Sequence, residues 1–172
     1  MLVLLCGLAW AASPVGHPMP NFTLYTPNGE ARTLRQIAPG KPLVMVVWCA
    51  TCPSCREVEA EIDRLAEEMR GKAVVLALDA NAPDTAERIQ QTLDRNSLTF
   101  PVFLDKKGKV VDNYKINTTT TTLIVDAQGR LRYLGRFGDK EEALARKALQ
   151  QLLAGQEVTP NQTEWQGCKV IR

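Results

Sequence analysis

The chain has one histidine, His17, close to its start. That argues against His-based catalysis and against metal centres built from several imidazoles, and His17 itself reads as an exposed residue on a mobile start. It also lacks a charge bias. Its 21 Lys and Arg and 19 Asp and Glu are intermixed, giving a formal charge of +2. Neither nucleic acid nor an anionic membrane surface is therefore an expected partner. No repeat is present, and the only biased tract is the five threonines from Thr118 to Thr122. Long apolar runs are missing too. Met1 to Ser13 is apolar but falls short of the about 20 residues a spanning helix needs, so no stable membrane span is expected.

That first stretch matches the apolar part of a secretory leader in length, with Ala9, Ala11 and Ala12 offering a small-residue cleavage point. A charged leading region is absent. Leu5 before Cys6 is not the small residue a lipid-anchoring site wants. Residues 1–13 are read as a leader, with a retained apolar segment or a Cys6 lipid anchor as alternatives. The expected location is extracytoplasmic, periplasmic or secreted. Export would put the four later cysteines in an oxidising compartment, where disulfides persist.

What the chain does have is ordinary globular composition, 45% hydrophobic and 23% charged over 172 residues, enough for one well-cored domain. Residues 17–155 are expected to form that domain, followed by a polar tail at 156–172 that carries Trp165 and Gly167-Cys168. A monomer is expected. The organising stretch is Pro42 to Gly71. Leu43 to Trp48 is a short, Val-rich apolar run, which reads as a buried strand. Cys49, Cys52 and Cys55 follow at a spacing of three. From Pro53 the spacing turns helical, with Val58, Ile62, Leu65 and Met69 on one face and Gly71 as the stop.

Around this core, Phe22 and Leu24 with the turn Thr26 to Gly29 predict a strand and hairpin, and Leu34 to Ala38 a brief helix. Ala73 to Asp79 reads as a second buried strand ending in a solvated Asp79. Asp84 and Glu87 resemble a capping box starting a helix through Ile89 and Leu93. This order argues for a right-handed crossover between parallel strands. Phe100 to Leu104 with the turn after it reads as a surface insertion. Thr121 to Asp126 and Leu131 to Leu134 predict an antiparallel hairpin, and the threonine run a β-prone loop entering it. Asp139 and Glu142 resemble a second capping box, starting a last helix at Lys140 that Gly155 closes.

Taken together, GKPLVMVVW, the segment CPSCR, TTLIVDAQGRLRYLGR and the closing amphipathic helix resemble the thioredoxin-fold redoxins of the exported bacterial kind. The resemblance covers Pro20 to about Gly155. The tail GQEVTPNQTEWQGCKV is similar to the ends of redoxin-domain proteins near the peroxiredoxin (AhpC/TSA) group. The fold this implies is α/β, thioredoxin-like, with a central mixed β-sheet flanked by helices. The implied activity is that of a thiol–disulfide oxidoreductase with a redox-active Cys52–Cys55 disulfide, acting on protein thiols or disulfides and recharged by an upstream redox partner, with no cofactor required.

Two residues depart from the family pattern: Thr51 stands where Trp usually precedes the first active-site cysteine. Thr120 stands where a cis-proline usually packs on the cysteine pair, guides the partner's backbone and keeps metal from the thiols.

The residues carry their own chemical argument. With Pro53 as first helical residue, Cys52 sits at the N-cap, facing unpaired N–H groups and the positive end of the helix dipole. That favours its thiolate, and lowering a thiol pKa from about 8.5 to about 7 raises the thiolate fraction at neutral pH from a few per cent to about half. Arg56 lies one turn away, where an exposed Arg adds little to this field. Cys55 lies inside the first turn, placed to resolve a mixed disulfide on Cys52. The site surroundings are Trp48, Thr51, Pro53, Ser54, Arg56 and Thr120, with Trp48 chiefly a packing residue. Asp79 ends a strand near this edge and is a secondary candidate for relaying protons to Cys55.

Cys49 and Cys168 are additional thiols. Cys49 is a small core residue, a third redox thiol or a ligand; Cys168 is a resolving thiol, a ligand or an intermolecular partner. Two alternatives stand beside the redox reading. One is a metal-binding or metal-delivery protein holding Zn, Cu or an Fe–S cluster on Cys49, Cys52, Cys55 and Cys168. Glu59 stands where a ferredoxin-type spacing would place another cysteine. The other is a thiol peroxidase. The peroxiredoxin arrangement Pro-x-x-x-Thr/Ser-x-x-Cys is missing, because Met45 and Cys49 occupy its Pro and Thr positions before Cys52.

Overall fold

The computed structural model describes residues 13–138 and 141–172. Among the described residues, seven strands form one mixed sheet in the order β2 (Ala31–Thr33), β1 (Thr23–Tyr25), β5 (Val102–Leu104), β4 (Val74–Asp79), β3 (Leu43–Trp48), β6 (Thr121–Val125) and β7 (Leu131–Arg136). The central strand is β3 (Leu43–Trp48), every residue of which is buried. It runs parallel to β4 (Val74–Asp79), pairing Leu43 with Val74 and Trp48 with Asp79, and antiparallel to β6 (Thr121–Val125). Successive strand residues point to opposite faces. Val44, Val46 and Trp48 therefore enter one core and Leu43, Met45 and Val47 the other. Both faces are covered, which is why this stretch is continuously apolar rather than alternating.

On the first face lies α2 (Pro53–Glu68), which buries Cys55, Val58, Ile62 and Leu65. Complete burial of a side chain such as Ile62 contributes about 1.5–3 kcal/mol. Gly71 follows with φ +82, the left-handed backbone a helix stop favours. The last helix, α5 (Leu144–Leu153), packs Ala145, Ala148 and Leu149 against the same core. The opposite face is covered by α1 (Leu34–Ile37) and α4 (Lys109–Asn113), through Leu34, Val110 and Val111. The hairpin β1 (Thr23–Tyr25) and β2 (Ala31–Thr33) forms one edge, and β7 (Leu131–Arg136) the other.

Four local expectations are corrected. The Phe100 to Leu104 stretch is not a surface insertion: Val102–Leu104 is β5, parallel to β4 and paired to β1, so it bridges hairpin and centre. The cap of α3 (Ala86–Asn96) is Thr85, whose Oγ1 accepts the Arg88 N–H, and this releases Asp84 to turn inward. The last helix begins at Leu144 rather than Lys140; Asp139, half of the expected capping box, lies outside the described residues, as do Cys6 and residues 1–12. His17 is exposed, but its segment is anchored, since its carbonyl accepts Leu131 N–H at 3.0 Å and Gly16 N–H reaches Leu131 O at 2.7 Å.

The segment after α5 returns over the sheet. Thr163 N–H donates to Leu134 O, Lys169 bridges antiparallel to Thr118, and Val158 and Val170 are buried. No helix among the described residues is long and apolar enough to cross a membrane.

Candidate active site

The C-terminal end of β3 delivers Cys49, and the first turn of α2 presents Cys52 and Cys55. Cys52 is the N-cap, in extended backbone, with Pro53 as the first helical residue. All three cysteines are buried, and their sulfurs lie within 4.8 Å of one another. Cys168 comes from the far end of the chain. Its Sγ lies 3.5 Å from Ser54 Oγ, and its backbone N–H donates to Thr119 Oγ1 at 3.0 Å. That same Thr119 oxygen lies 3.1 Å from Cys52 Sγ.

These contacts separate the thiols. Cys52 is held well below the usual thiol pKa, first by a hydrogen bond from the Cys55 thiol, against burial, and then by Cys168, the Thr119 hydroxyl and the Cys55 N–H. Cys55 is pushed up, because its proton is held by Cys49 and Cys52 and because it is buried. Cys49 is lowered by Cys55 first, then by the Thr51 N–H, while burial and the charges of Cys52 and Asp84 raise it. Cys55 has one proton and cannot donate it to both neighbours at once. Cys52 has further side-chain donors where Cys49 has a backbone N–H, so Cys52 is the thiol that ionises. The order of causes also corrects the sequence argument. The Cys55 N–H, the one helix-terminal donor among these causes, comes after the side-chain donors, which therefore outweigh the helix terminus. Arg56 is exposed, as a weak contributor would be, and is not among the leading groups that lower Cys52.

Other predicted residues divide. Trp48 is buried away from solvent, its Nε1 donating to Glu59 Oε1 at 2.9 Å and its ring edge-on to Phe100 at 6.1 Å between centroids. Thr51 and Pro53 are exposed. Thr120 is buried at φ +60, where a β-branched residue is costly. It is held there by its N–H to Val47 O at 2.6 Å, by Phe137 N–H on its carbonyl, and by its own hydroxyl on Gln166 O.

Asp79 is not a solvated turn residue. It is buried, with Oδ1 accepting Asn81 N–H at 2.8 Å. Asp84 Oδ2 accepts the Ala50 N–H at 2.9 Å. Asp79 Oδ2 and Asp84 Oδ1 are both buried without a donor. Burial, then the neighbouring charge and carboxyl of Asp84, push Asp79 up to about 8. Arg88 Nη1 stands 3.9 Å from Asp84 Oδ1 and favours the charge on Asp84, which leaves Asp79 as the carboxyl that keeps its proton. A cavity of about 490 Å³ opens beside them, lined also by Asp105 and Arg172.

Sequence reasoning missed Thr119 and Asp84. The threonine run ahead of β6 was the available signal for the first. For Asp84 a helix-capping pattern concealed the inward turn.

A model of the AhpC/TSA family matches residues 15–134. The thioredoxin-like protein YneN of Bacillus subtilis is 32% identical over 73% of this chain and 75% of its own length. The thiol–disulfide oxidoreductase ResA of Halalkalibacterium halodurans is 31% identical over 67% of this chain and 65% of its own. Among solved structures, an uncharacterised conserved protein from Geobacillus kaustophilus superposes with a TM-score of 0.81 at 24% identity, covering 92% of each chain. A thioredoxin-like protein from Aeropyrum pernix superposes with a TM-score of 0.63 at 22% identity, covering 78% of this chain and 89% of its own, and with the sheet order this makes the fold thioredoxin-like.

Proposed function

The chain belongs to the AhpC/TSA family, and we propose that within it this protein is a thiol–disulfide oxidoreductase working through Cys52 and Cys55. The carrying observation is the division of the pair: Cys52 is held as the thiolate by surrounding donors, while buried Cys55 keeps its proton. Relatives named as a thiol–disulfide oxidoreductase and a thiol:disulfide interchange protein agree with this chemistry. In the cycle, Cys52 Sγ attacks one sulfur of a partner's disulfide and the other sulfur leaves as a thiolate. Cys55 then gives up its proton and attacks Cys52 Sγ, releasing the second partner thiol and closing Cys52–Cys55. The reverse sequence oxidises a partner dithiol. No cofactor takes part. The substrates are protein thiols or disulfides in an extracytoplasmic compartment, with an upstream redox partner resetting the pair.

The test is exchange with a model disulfide. Cys52→Ser abolishes it, and Cys55→Ser stops it at a mixed disulfide on Cys52; full reductase activity of Cys52→Ser would sink the assignment.

A second reading follows from the gathering of three sulfurs within 4.8 Å, against the about 3.8 Å between thiolates that share one tetrahedral zinc. Cys49, Cys52 and Cys55 would supply three ligands to zinc, copper or an iron–sulfur cluster; Cys168 stands outside that group of three and would have to move in to supply the fourth. Purification without chelator followed by metal analysis separates the two. Stoichiometric metal lost in Cys168→Ala supports the metal reading.

A further inference from the structure

The tail does not merely pass the site. Residues 166–170 lie antiparallel along Asn117–Thr120, as an added strand would. Val170 N–H donates to Asn117 O at 2.9 Å, Thr119 N–H to Cys168 O at 2.8 Å, and Lys169 bridges Thr118. The hydroxyl of Thr120, at the position the family pattern gives to the partner-guiding proline, is taken up by Gln166 O. Extended peptides recognised by strand addition are held in this way, through backbone hydrogen bonds with side chains placed by register. The register here puts Cys168 at the catalytic pair. Thr119 holds the Cys168 N–H and touches Cys52 Sγ with the same oxygen, and Cys168 Sγ rests on Ser54. Gly167 permits the approach, since a Cβ there would stand 2.2 Å from Thr119 O. Cys52 beneath is only 3% exposed.

We propose that the 166–170 segment is a tethered substrate and that Cys168 is a third redox thiol, exchanging with the Cys52–Cys55 disulfide to form Cys52–Cys168. This rests on the redox reading above. In the exchange, the Cys168 thiolate attacks Cys52 Sγ, the Cys52–Cys55 bond breaks, and Cys55 leaves with the electron pair. The proton lost by Cys168 ends on Cys55. No net oxidation occurs, so no further oxidant enters. An external partner must displace the tail and present its cysteine on an extended segment, preceded by a residue as small as glycine.

The experiment uses the full chain carrying Cys55→Ser, treated with oxidised glutathione, quenched in acid and mapped by peptide mass spectrometry. Cys52 takes one glutathionyl group and releases one glutathione; Cys168 then displaces the second, leaving Cys52–Cys168. Adding Cys168→Ser leaves a stable glutathione adduct on Cys52, and adding Gly167→Val causes loss of the cross-link while Cys52 still accepts glutathione. A persistent adduct with Cys168 free to alkylate, pairing of Cys52 with Cys49, or an undiminished cross-link in Gly167→Val each overturns the proposal while leaving the redox reading intact. Failure of Cys52 to accept glutathione at all overturns the redox reading, and this proposal with it.

Discussion

Thr119 and Cys52 meet side chain to side chain, Oγ1 to Sγ at 3.1 Å, although they stand 67 positions apart in the sequence. Because a thiolate is an acceptor only, the hydroxyl donates to Cys52 while its lone pair receives the Cys168 N–H. Thr119→Val keeps the shape and removes the donor. A hydrogen bond to a charged group is worth about 1.5–3 kcal/mol, so the Cys52 pKa rises by about 1–2 units. Ultraviolet titration of the thiolate checks this; an unchanged titration would mean that Thr119 only holds the tail.

Cys55 is the first cause of the lowered Cys52 pKa. Cys55→Ala removes that donor, whereas Cys55→Ser retains a hydroxyl. Cys52 therefore titrates higher in the alanine variant than in the serine variant, and alkylation by iodoacetamide at neutral pH slows in the same order. Equal rates in the two variants would remove Cys55 as donor.

Asp79 supplies a stability signature. Its pKa is pushed up to about 8 by burial, then by Asp84 and Cys49, against about 3.9 for an unfolded aspartate. Between about pH 4 and about pH 8 the folded protein holds a proton that the unfolded chain has lost, so stability falls as pH rises through that window, by up to about 1.4 kcal/mol per pH unit. Asp79→Asn flattens the slope and gains most over the wild type above about pH 8. Urea midpoints of the reduced protein across the window measure it, and a slope unchanged in Asp79→Asn would place the proton elsewhere.

Glu59 is buried on α2, accepting Trp48 Nε1 on one oxygen and Asn96 Nδ2 on the other, each at 2.9 Å. Glu59→Ala leaves the buried indole N–H without a partner and costs about 1–3 kcal/mol. The urea midpoint should fall while the Cys52 titration stays in place, because Glu59 acts on the core behind the site. A shifted titration would tie Trp48 to the sulfurs.

The elements that could be read in advance were those whose signal is local. Leu43–Trp48 is apolar without interruption because helices cover both sheet faces, and Pro53 at the first helical position puts Cys52 at the cap through its own φ preference. The three-residue spacing of Cys49, Cys52 and Cys55 keeps the sulfurs together once β3 turns into α2. The short β5 escapes sequence reading because three residues carry too little pattern to distinguish a strand from a surface loop, and pairing with β4 and β1 makes it a strand.

What surrounds the thiols could not be read that way, because it depends on contacts between residues far apart in the chain. Asp84 carries a helix-cap pattern, yet Thr85 takes the cap and Asp84 turns inward to Ala50 N–H and Asp79. Cys168 follows a polar stretch with no periodicity, and only the antiparallel hydrogen bonds to Asn117–Thr119 carry it to Cys52. Local sequence settles backbone preference and which faces are apolar. The ionisation of Cys52 is set by donors from Cys55, Cys168 and Thr119, two of which reach it only when the chain is folded.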